Sequence, residues 1–523
     1  MQHPGSYPEL DAIDVTIANV FDRVSLECAS TRAAADDHRT VDYSHLRRSA
    51  AHWQERLRRA GVRERDVVSL QLPNRWETLA ILHAIWGLHA IANPITMINR
   101  AVELSAIFSV AAPRAVVTVD EHRGVEYGLQ CARAAERVGI DPAILTIHDG
   151  PATDEQVSAL EHFTDSTTDA ESIALLMFTS GTTGRPKGVL HTHRTLLYEA
   201  QSIADVFHLA GDRVFMPSPL AHITGLLYGA ILPLLTEADV VLQDRWDART
   251  ALATIERERC RFTVSATPFL RGLQDEYASS GLRSSLRVFV CGGADIPASL
   301  VEEAGRTMGT HVARTYGSTE MPTLSIVHPE DPESMRFATE GTLIGAAKAR
   351  VRDAHGGVGE LEVVGPDLFA GYLDPGDNEP AFTEDGWFRT GDLARINEDG
   401  SITITGRSKD LIVRGGENIS AKEVEDILIA HPDVADVALV AVPDDVMGER
   451  VCAVIVATGA TPPTLNELAK HLETAGIARQ KAPEALFQVT TLPRTPSGKV
   501  QKFQLREQVA HAREAGLLIT RPQ

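Results

Sequence analysis

A strand that ends in a run of small polar residues is the feature that most constrains this chain. Ile173 to Phe178 is a short apolar run without helical periodicity, typical of a buried strand, and it leads into TSGTTGRPKG, Thr179 to Gly188. Glycines let such a loop approach a ligand closely, and hydroxyl groups and the mobile cation of Lys187 supply donors for an anion. The stretch therefore predicts a polyphosphate-binding loop. Its predicted binding residues are Thr179, Ser180, Gly181, Thr182, Thr183, Gly184 and Lys187.

This loop does not have the Walker pattern, in which Lys and then Ser or Thr directly follow a glycine. Here Lys187 lies three residues past Gly184 and is followed by Gly188. A second loop with related chemistry, TYGSTE, follows a predicted strand and ends at Glu320. Loops at strand ends are where open α/β sheets bind ligands. The two loops together favour a nucleotide site over two unrelated turns.

Length and periodicity predict the architecture. A chain of 523 residues with 43% hydrophobic residues is too long for one ordinary core, so we expect at least two domains. Helices are predicted at 43–60 and 76–88, and residues 1–40 are predicted as helix plus loop. The predicted strands are 66–73, 115–120, 239–243, 261–266, 287–291 and 311–316. Their alternation with helices predicts an α/β fold with largely parallel sheets.

Charge and cysteine usage exclude several classes of function. The net charge of −21 argues against nucleic acid or an anionic membrane surface as a partner. The five cysteines are scattered without a CxxC pair, which indicates neither a disulfide framework nor a zinc site. The apolar run from Ile223 to Leu235 is too short and interrupted to span a bilayer, and neither terminus carries a targeting signal. These features predict a cytoplasmic protein without an integral membrane segment.

Seven segments together resemble the adenylate-forming enzymes, a superfamily that includes acyl-CoA synthetases, adenylation domains of peptide synthetases and beetle luciferases. They occur in the family's order as TSGTTGRPKG, PLAHITG, CGGADIP, TYGSTE, GWFRTGDL, GRSKDLIVRGGENI and PRTPSGKVQK. The chain is most similar to acyl-CoA synthetases. The resemblance implies a large N-terminal domain of mostly parallel sheets with helices, at 1–408. It also implies a small mobile α+β C-terminal domain, at 409–523, that carries the catalytic lysine.

The same resemblance implies roles for individual residues. Tyr316 stacks on adenine, Thr319 contacts the α-phosphate, and Glu320 holds Mg²⁺ through a hard carboxylate oxygen. Lys499 approaches the substrate carboxylate and the α-phosphate, and His222 lies at the mouth of the acyl pocket. The other implied nucleotide-binding residues are Gly292, Gly293, Ala294, Gly317, Ser318, Asp392 and Arg407.

Within that set, Asp392 is implied to accept hydrogen bonds from both ribose hydroxyls, and Arg407 to contact ribose or phosphate. Lys409 stands at the family's hinge position between the two domains. Gly415 and Gly416, in the GGENI segment, are implied to line the path by which a pantetheine thiol enters. These positions predict CoA as the thiol substrate, beside ATP and Mg²⁺.

The acid pocket is predicted to be apolar. Ile223 stands where amino-acid-activating relatives usually carry Asp, and without that carboxylate the burial of a substrate ammonium group is costly. The predicted pocket residues are Ile223, Thr224, Leu226, Ala266 and Met321. We therefore expect a hydrophobic carboxylic acid, fatty, alicyclic or aromatic, as the substrate.

Three alternatives stay open at the sequence level. A carrier-protein phosphopantetheine can replace CoA as the acceptor, because the motifs would be nearly the same. A luciferase-like oxygenase shares the scaffold, although nothing in the sequence marks oxygen chemistry. A nucleotide sensor without catalysis is opposed by the joint presence of Glu320, Asp392, Arg407 and Lys499. The sequence is also compatible with a homodimer.

Overall fold

The chain folds as a large N-terminal domain followed by a smaller C-terminal domain, as seen in a computed structural model. The structure describes residues 14–147, 169–179, 186–293, 296–407, 410–414, 417–444, 447–459, 461–475, 479–495 and 498–520. Predicted residues Ser180, Gly181, Thr182, Thr183, Gly184, Ala294, Lys409, Gly415 and Gly416 lie outside this part of the chain.

One sheet of the N-terminal domain is parallel at its centre and antiparallel at its edges. Its strands are, in spatial order, Thr342–Leu343, Ser325–Ile326, His311–Tyr316, Val288–Cys291, Phe262–Ser265, Val214–Met216, Val240–Leu242, Arg32–Ala35 and Thr40–Asp42. The central strands Val288–Cys291 and Phe262–Ser265 are buried at every residue, as expected for a parallel sheet that is covered on both faces.

A second sheet carries the predicted phosphate loop. Its strands are, in spatial order, Gly371–Tyr372, Lys187–Thr192, Ile173–Thr179, Ile91–Pro94, Val67–Gln71, Ala115–Val119 and Ala143–Ile147. Ile173–Thr179 and Lys187–Thr192 pair antiparallel, with Thr179 opposite Lys187 in the register. The two ends of the predicted loop therefore lie side by side, where these two paired strands meet the loop.

Helices join the two sheets in one apolar core. The helices of this domain are Ile17–Glu27, Tyr43–Arg59, Trp76–Trp86, Ala101–Ala111, Tyr127–Val138, His193–Phe207, Ile223–Leu226, Leu232–Leu235, Ala248–Glu258, Thr267–Ser280, Ala298–Met308 and Glu333–Ala338. A π-helical turn, Leu227–Ile231, interrupts the segment after PLAHITG, and a 3₁₀ turn covers Pro375–Asp377. Among the described residues, no helix is long and apolar enough to cross a bilayer.

An antiparallel sheet that the periodicity did not reveal follows these elements. Its strands are Lys348–His355, Val358–Val364, Phe388–Ile396 and Ile402–Arg407. In its last pair Asp392 stands opposite Arg407. A short hairpin, Glu121–His122 with Val125–Glu126, lies elsewhere in the domain.

The C-terminal domain is α+β, as expected, and has apolar cores of its own. Its sheet contains Glu417–Ser420, Leu411–Arg414, Gly448–Ala457, Ala485–Gln488 and Ile519–Thr520 in spatial order, with Val434–Asp444 paired to Gly448–Ala457. Its helices are Ala421–Leu428, Leu465–Thr474 and Lys502–Glu514, with a 3₁₀ turn at Arg479–Lys481.

The predicted central strands and helices are confirmed, with ends that differ by one or two residues. The interpretation of residues 1–40 as helix plus loop is wrong in one respect. Arg32–Ala35, with the sequence RAAA, is a strand that pairs in parallel with Val240–Leu242. Alanine has weak strand propensity, so long-range pairing rather than local sequence determines this strand.

Candidate active site

The base of the phosphate loop holds Lys187 in a defined place. Its Nζ lies 3.1 Å from Asp377 Oδ1 and 4.7 Å from the centroid of the Tyr372 ring. Asp377 belongs to the 3₁₀ turn, and Tyr372 belongs to the strand that pairs with Lys187–Thr192. An anion and an aromatic face thus orient the ammonium group, and an incoming phosphate would compete with Asp377 for it.

The TYGSTE loop turns sharply where strand His311–Tyr316 ends. A Cβ at Gly317 would lie 1.9 Å from Pro322 O, so only glycine fits this close backbone approach. Ser318 locks the turn, because its N–H donates to Met321 O (2.8 Å) and its Oγ accepts from the N–H groups of Glu320 and Met321 (3.2 Å each). The turn therefore presents Thr319 and Glu320 from a fixed backbone.

Two residues that sequence reasoning missed support this loop from the side. Tyr372 donates its hydroxyl hydrogen to Glu320 Oε1 at 2.7 Å, and burial, followed by the charge of Glu320, raises the pKa of Tyr372. His191 Nε2 lies 2.7 Å from Thr319 O, while its Nδ1 lies 3.1 Å from Thr195 Oγ1. Burial lowers the pKa of His191 to about 4, so the ring is neutral and Nε2 donates to the carbonyl. The phosphate-loop strand is thereby tied to the TYGSTE loop.

Asp392 is held on both carboxylate oxygens. Tyr316 donates its hydroxyl hydrogen to Oδ2 at 2.5 Å, and Arg407 Nε lies 3.0 Å from Oδ1. Burial, followed by the charge of Asp392, raises the pKa of Tyr316 well above its usual range, which keeps the phenol protonated. Each carboxylate oxygen keeps a second lone pair, so this rigid group can still accept from a diol.

Gly292 and Gly293 follow the strand Val288–Cys291 at the same sheet edge as Tyr316. Gly292 donates its N–H to Ser265 O at 3.3 Å. Ala266, the residue after Ser265, occupies the N-cap position of the helix Thr267–Ser280. Consecutive strand ends of the parallel sheet therefore bring these predicted residues together.

The predicted acid-pocket residues divide into two groups. His222, Ile223 and Thr224 are half-buried at the start of a helix, whereas Leu226 is fully buried in the main core and Met321 is 2% exposed. Leu226 and Met321 thus belong to packed cores and do not line open space. His222 Nε2 is buried without a hydrogen-bond partner among the described residues. Such an orphaned nitrogen is a candidate donor or acceptor for a ligand.

Lys499 reaches this site from the C-terminal domain. It closes a turn in which its N–H donates to Thr495 Oγ1 at 3.1 Å. Gly498 in this turn has φ +84°, and a Cβ there would lie 3.2 Å from Pro268 Cγ of the N-terminal domain. The turn therefore packs directly against the helix that begins beside Ala266.

The pKa of Lys499 indicates which charged groups act on its ammonium group. Burial, followed by the charge of Arg407, lowers the pKa of Lys499, while Asp392 and Glu320 oppose that change. Burial and then the charge of Lys499 lower the pKa of His222 to about 4. One cation thus lies among groups from the ribose, metal and acyl sides of the predicted site.

Comparison with known proteins decides the family. The model of the AMP-binding enzyme family matches residues 21–373, and the model of the AMP-binding enzyme C-terminal domain matches residues 423–499. The chain belongs to the AMP-binding enzyme family. Among its relatives, the medium-chain fatty-acid–CoA ligase of Escherichia coli K12 is 34% identical over 518 residues, which cover 95% of this chain and 91% of the relative.

Other relatives of this AMP-binding enzyme differ in what their names describe. The 2,3-dihydroxybenzoate-AMP ligase of Bacillus subtilis 168 is 30% identical over 516 residues, which cover 95% of this chain and 93% of the relative. The solved structure of ATP-bound MatB from Rhodopseudomonas palustris superposes with a TM-score of 0.84 at 27% identity, covering 94% of this chain and 98% of that one. The AMP-binding fold therefore extends over nearly the whole chain.

Proposed function

We propose that this enzyme is an ATP-dependent acid:CoA ligase that activates a hydrophobic carboxylic acid as acyl-AMP and transfers the acyl group to CoA. The observation that carries the proposal is the packing of the Lys499 turn against Pro268, together with the effect of Arg407, Asp392 and Glu320 on the pKa of Lys499 and of Lys499 on the pKa of His222. The small domain thus supplies a cation where the predicted acid and nucleotide sites meet.

In the first half-reaction, a carboxylate oxygen of the acid attacks the α-phosphorus of ATP, and the bond to the β-phosphate oxygen breaks to release pyrophosphate. Negative charge moves from the carboxylate to the leaving pyrophosphate during this step. Lys499 stabilises the meeting carboxylate and α-phosphate, and Lys187 the pyrophosphate side, because preorganised charges act strongly in a partly dehydrated site.

The residues around Glu320 fit Mg²⁺. Glu320 offers a hard carboxylate oxygen, and Tyr372 holds its Oε1 at 2.7 Å. Mg²⁺ binds one or two carboxylates together with nucleotide phosphates and water, so the single carboxylate of Glu320 would be a sufficient protein ligand. When bound, Mg²⁺ neutralises charge on the phosphates.

In the second half-reaction, the CoA sulfur attacks the acyl carbon and AMP leaves as its phosphate anion. We assign the thiol path to Gly415 and Gly416 and place the domain boundary at 408/409. Because Lys499 and the thiol path belong to one small domain, a single orientation can hardly serve both steps. We propose that the domain rotates about Lys409 between them.

Replacing Lys409 with Pro tests that rotation. Proline fixes φ near about −65°, so one orientation is favoured and one half-reaction should be impaired far more than the other. Lys409→Ala keeps the backbone free and is the matched control. Single-turnover rates of pyrophosphate release and of thioester formation provide the measurement, and equal losses in both steps for Lys409→Pro would refute the pivot.

The acid specificity follows from Ile223 and Thr224, which offer no carboxylate to a substrate ammonium group. We expect aliphatic, alicyclic or aromatic acids to be activated and free α-amino acids to be poor substrates. A buried methylene contributes about 0.8 kcal/mol, so neighbouring chain lengths should differ by less than ~10-fold in kcat/KM. ATP-dependent pyrophosphate release over a panel of acids measures this, and efficient turnover of an α-amino acid would contradict it.

A carrier-protein phosphopantetheine is the second candidate acceptor, because a relative of similar coverage is named an AMP ligase without CoA. Competition between CoA and a phosphopantetheinylated carrier for the same acyl-adenylate discriminates the two. The CoA proposal predicts that acyl-CoA dominates at equal thiol concentrations. If the acyl group were loaded preferentially onto the carrier protein, the carrier would replace CoA as the proposed acceptor.

A further inference from the structure

A pair of buried carboxyl groups lies behind the acid pocket. Glu199 is on the helix His193–Phe207, and Asp367 is in the turn after strand Val358–Val364. Their residues are 0% and 2% exposed, and each carboxyl group shifts the pKa of the other. Neither takes part in the proposed chemistry, so the pair needs a separate explanation.

Hydroxyl groups surround the pair, and no Lys, Arg or His side chain of the described part of the chain bonds to it. Tyr228 donates its hydroxyl hydrogen to Glu199 Oε1, and its oxygen lies 2.7 Å from Thr323 Oγ1. Among the described residues, Glu199 Oε2 and both oxygens of Asp367 are buried without a well-formed hydrogen bond, and the backbone N–H groups of Thr323 and Asp367 partly offset the rise that burial causes in the pKa of Glu199 and Asp367, respectively. Two ionised carboxylates in this enclosure would repel each other with little compensation. A proton or a metal cation between them is required.

Burial, followed by the charge of Glu199, raises the pKa of Asp367 well above its usual range. Burial also raises the pKa of Glu199, while its hydrogen bond from Tyr228 opposes that rise. The pair thus retains a proton under conditions in which exposed carboxyl groups have lost theirs.

The pair connects the segments that shape the acid pocket. Tyr228 is in the π-helical turn that directly follows Ile223–Leu226, and Thr323 follows Met321 by two residues. A Cβ at Gly365 would lie 2.8 Å from Met321 Cε and 2.9 Å from Asp367 Oδ1, so Asp367 and Met321 meet at that glycine. The turn that contains Asp367 also contacts the proposed metal ligand, because Phe369 N–H donates to Glu320 O at 2.8 Å.

We propose that Glu199 and Asp367 share one proton and that this protonated pair fixes the wall of the acid pocket. Both are positioning residues, since neither touches the reacting atoms. The KM measurements that test this proposal rest on the proposed acid-activating function, whereas the unfolding measurements do not. Loss of the shared proton would place two anions against each other, separate the π-helical turn from the Met321 segment and weaken acid binding.

The sign of the pH dependence follows from the raised pKa of Asp367. Between the ordinary carboxyl pKa and the raised one, the folded protein binds a proton that the unfolded chain has released. Stability from this pair is therefore full below the ordinary value and falls as pH rises through the raised pKa.

Asp367→Asn tests the proposal, because its amide N–H donates permanently where the proton did. We expect the unfolding midpoint to fall less steeply than in the wild type as pH rises above the ordinary carboxyl range. In the wild type, loss of the shared proton should raise the KM for the acid at alkaline pH. In Asp367→Asn this rise should be absent, and the KM for ATP should be the same as in the wild type. Asp367→Ala should raise the KM for the acid by ~10-fold while changing that for ATP less than ~2-fold. Asp275→Asn, at an exposed carboxylate, is the matched control.

Several results would overturn the proposal. One is a wild-type pH slope of stability in Asp367→Asn, and another is an equal change of both KM values in Asp367→Ala. A dependence of stability on Na⁺ or K⁺, with choline chloride as the reference salt, would assign the pair to a cation instead of a proton. An enzyme inactive with every acid would overturn the proposed function alone, because the unfolding measurements need no substrate.

Discussion

Replacing Lys499 with Ala is expected to slow acyl-adenylate formation by ~10²-fold or more, while supplied acyl-adenylate is still converted to the thioester at most of the original rate. The expectation follows from the charges that act on the Lys499 ammonium group, because its pKa responds to Arg407, Asp392 and Glu320 of the N-terminal domain. In the proposed mechanism this cation stabilises the charge that moves at the α-phosphorus. We therefore expect it to matter little once pyrophosphate has left.

Measuring the two half-reactions separately tests this division. Pyrophosphate exchange reports adenylation, and thioester formation from synthetic acyl-adenylate reports the second step. Lys470→Ala, at an exposed lysine of the same domain, is the control and should change neither. Equal losses in both steps for Lys499→Ala would mean that Lys499 supports the domain's structure rather than adenylation.

Replacing Glu320 with Ala is the second large expected effect, a loss of adenylation rate of ~10²-fold or more. The carboxylate is placed by the locked TYGSTE turn and by the Tyr372 hydroxyl at 2.7 Å. The cost in stability should be only about 1 kcal/mol, the usual net value of one hydrogen bond. Glu320→Gln retains an acceptor for Tyr372 but removes the charge, so it should lose activity with still less change in stability.

Pyrophosphate exchange as a function of Mg²⁺ concentration, together with thermal unfolding, measures both effects. Glu330→Ala, at an exposed carboxylate, provides the control. If Glu320→Ala kept full exchange at the wild-type Mg²⁺ optimum, Glu320 would have to be removed from the metal site.

The sequence could predict the elements whose pattern is local. Val288–Cys291 is a continuous apolar run, and Phe262–Ser265 is a short β-branched and aromatic segment, so buried strands follow from the local pattern. Candidate site residues that stand in dense motifs, such as Thr319 and Glu320, can also be proposed from the sequence, because the motif fixes their spacing. Asp392 and Arg407 were named from separate motifs, and the structure pairs them directly.

Residues that act across long stretches of chain could not be found in this way. Tyr372 lies 52 positions from Glu320, and His191 lies 128 positions from Thr319, so no periodicity connects either pair. From the sequence alone, His191 is an ordinary strand residue. Only the structure shows its hydrogen bond to Thr319 O in the TYGSTE loop. Likewise, Glu199 on an amphipathic helix gives no sign that Asp367 lies opposite it. Only the folded chain brings such pairs together.

Acid-dependent product analysis tests the central claim most directly. The purified enzyme would be incubated with ATP, Mg²⁺, CoA and each acid of a hydrophobic panel, and AMP, pyrophosphate and acyl-CoA would be quantified by mass spectrometry and coupled assays. The proposed function predicts that at least one hydrophobic acid yields all three in equal amounts, and that acyl-AMP accumulates when CoA is omitted. Release of ADP and phosphate, or no acid-dependent product with any member of the panel, would contradict it.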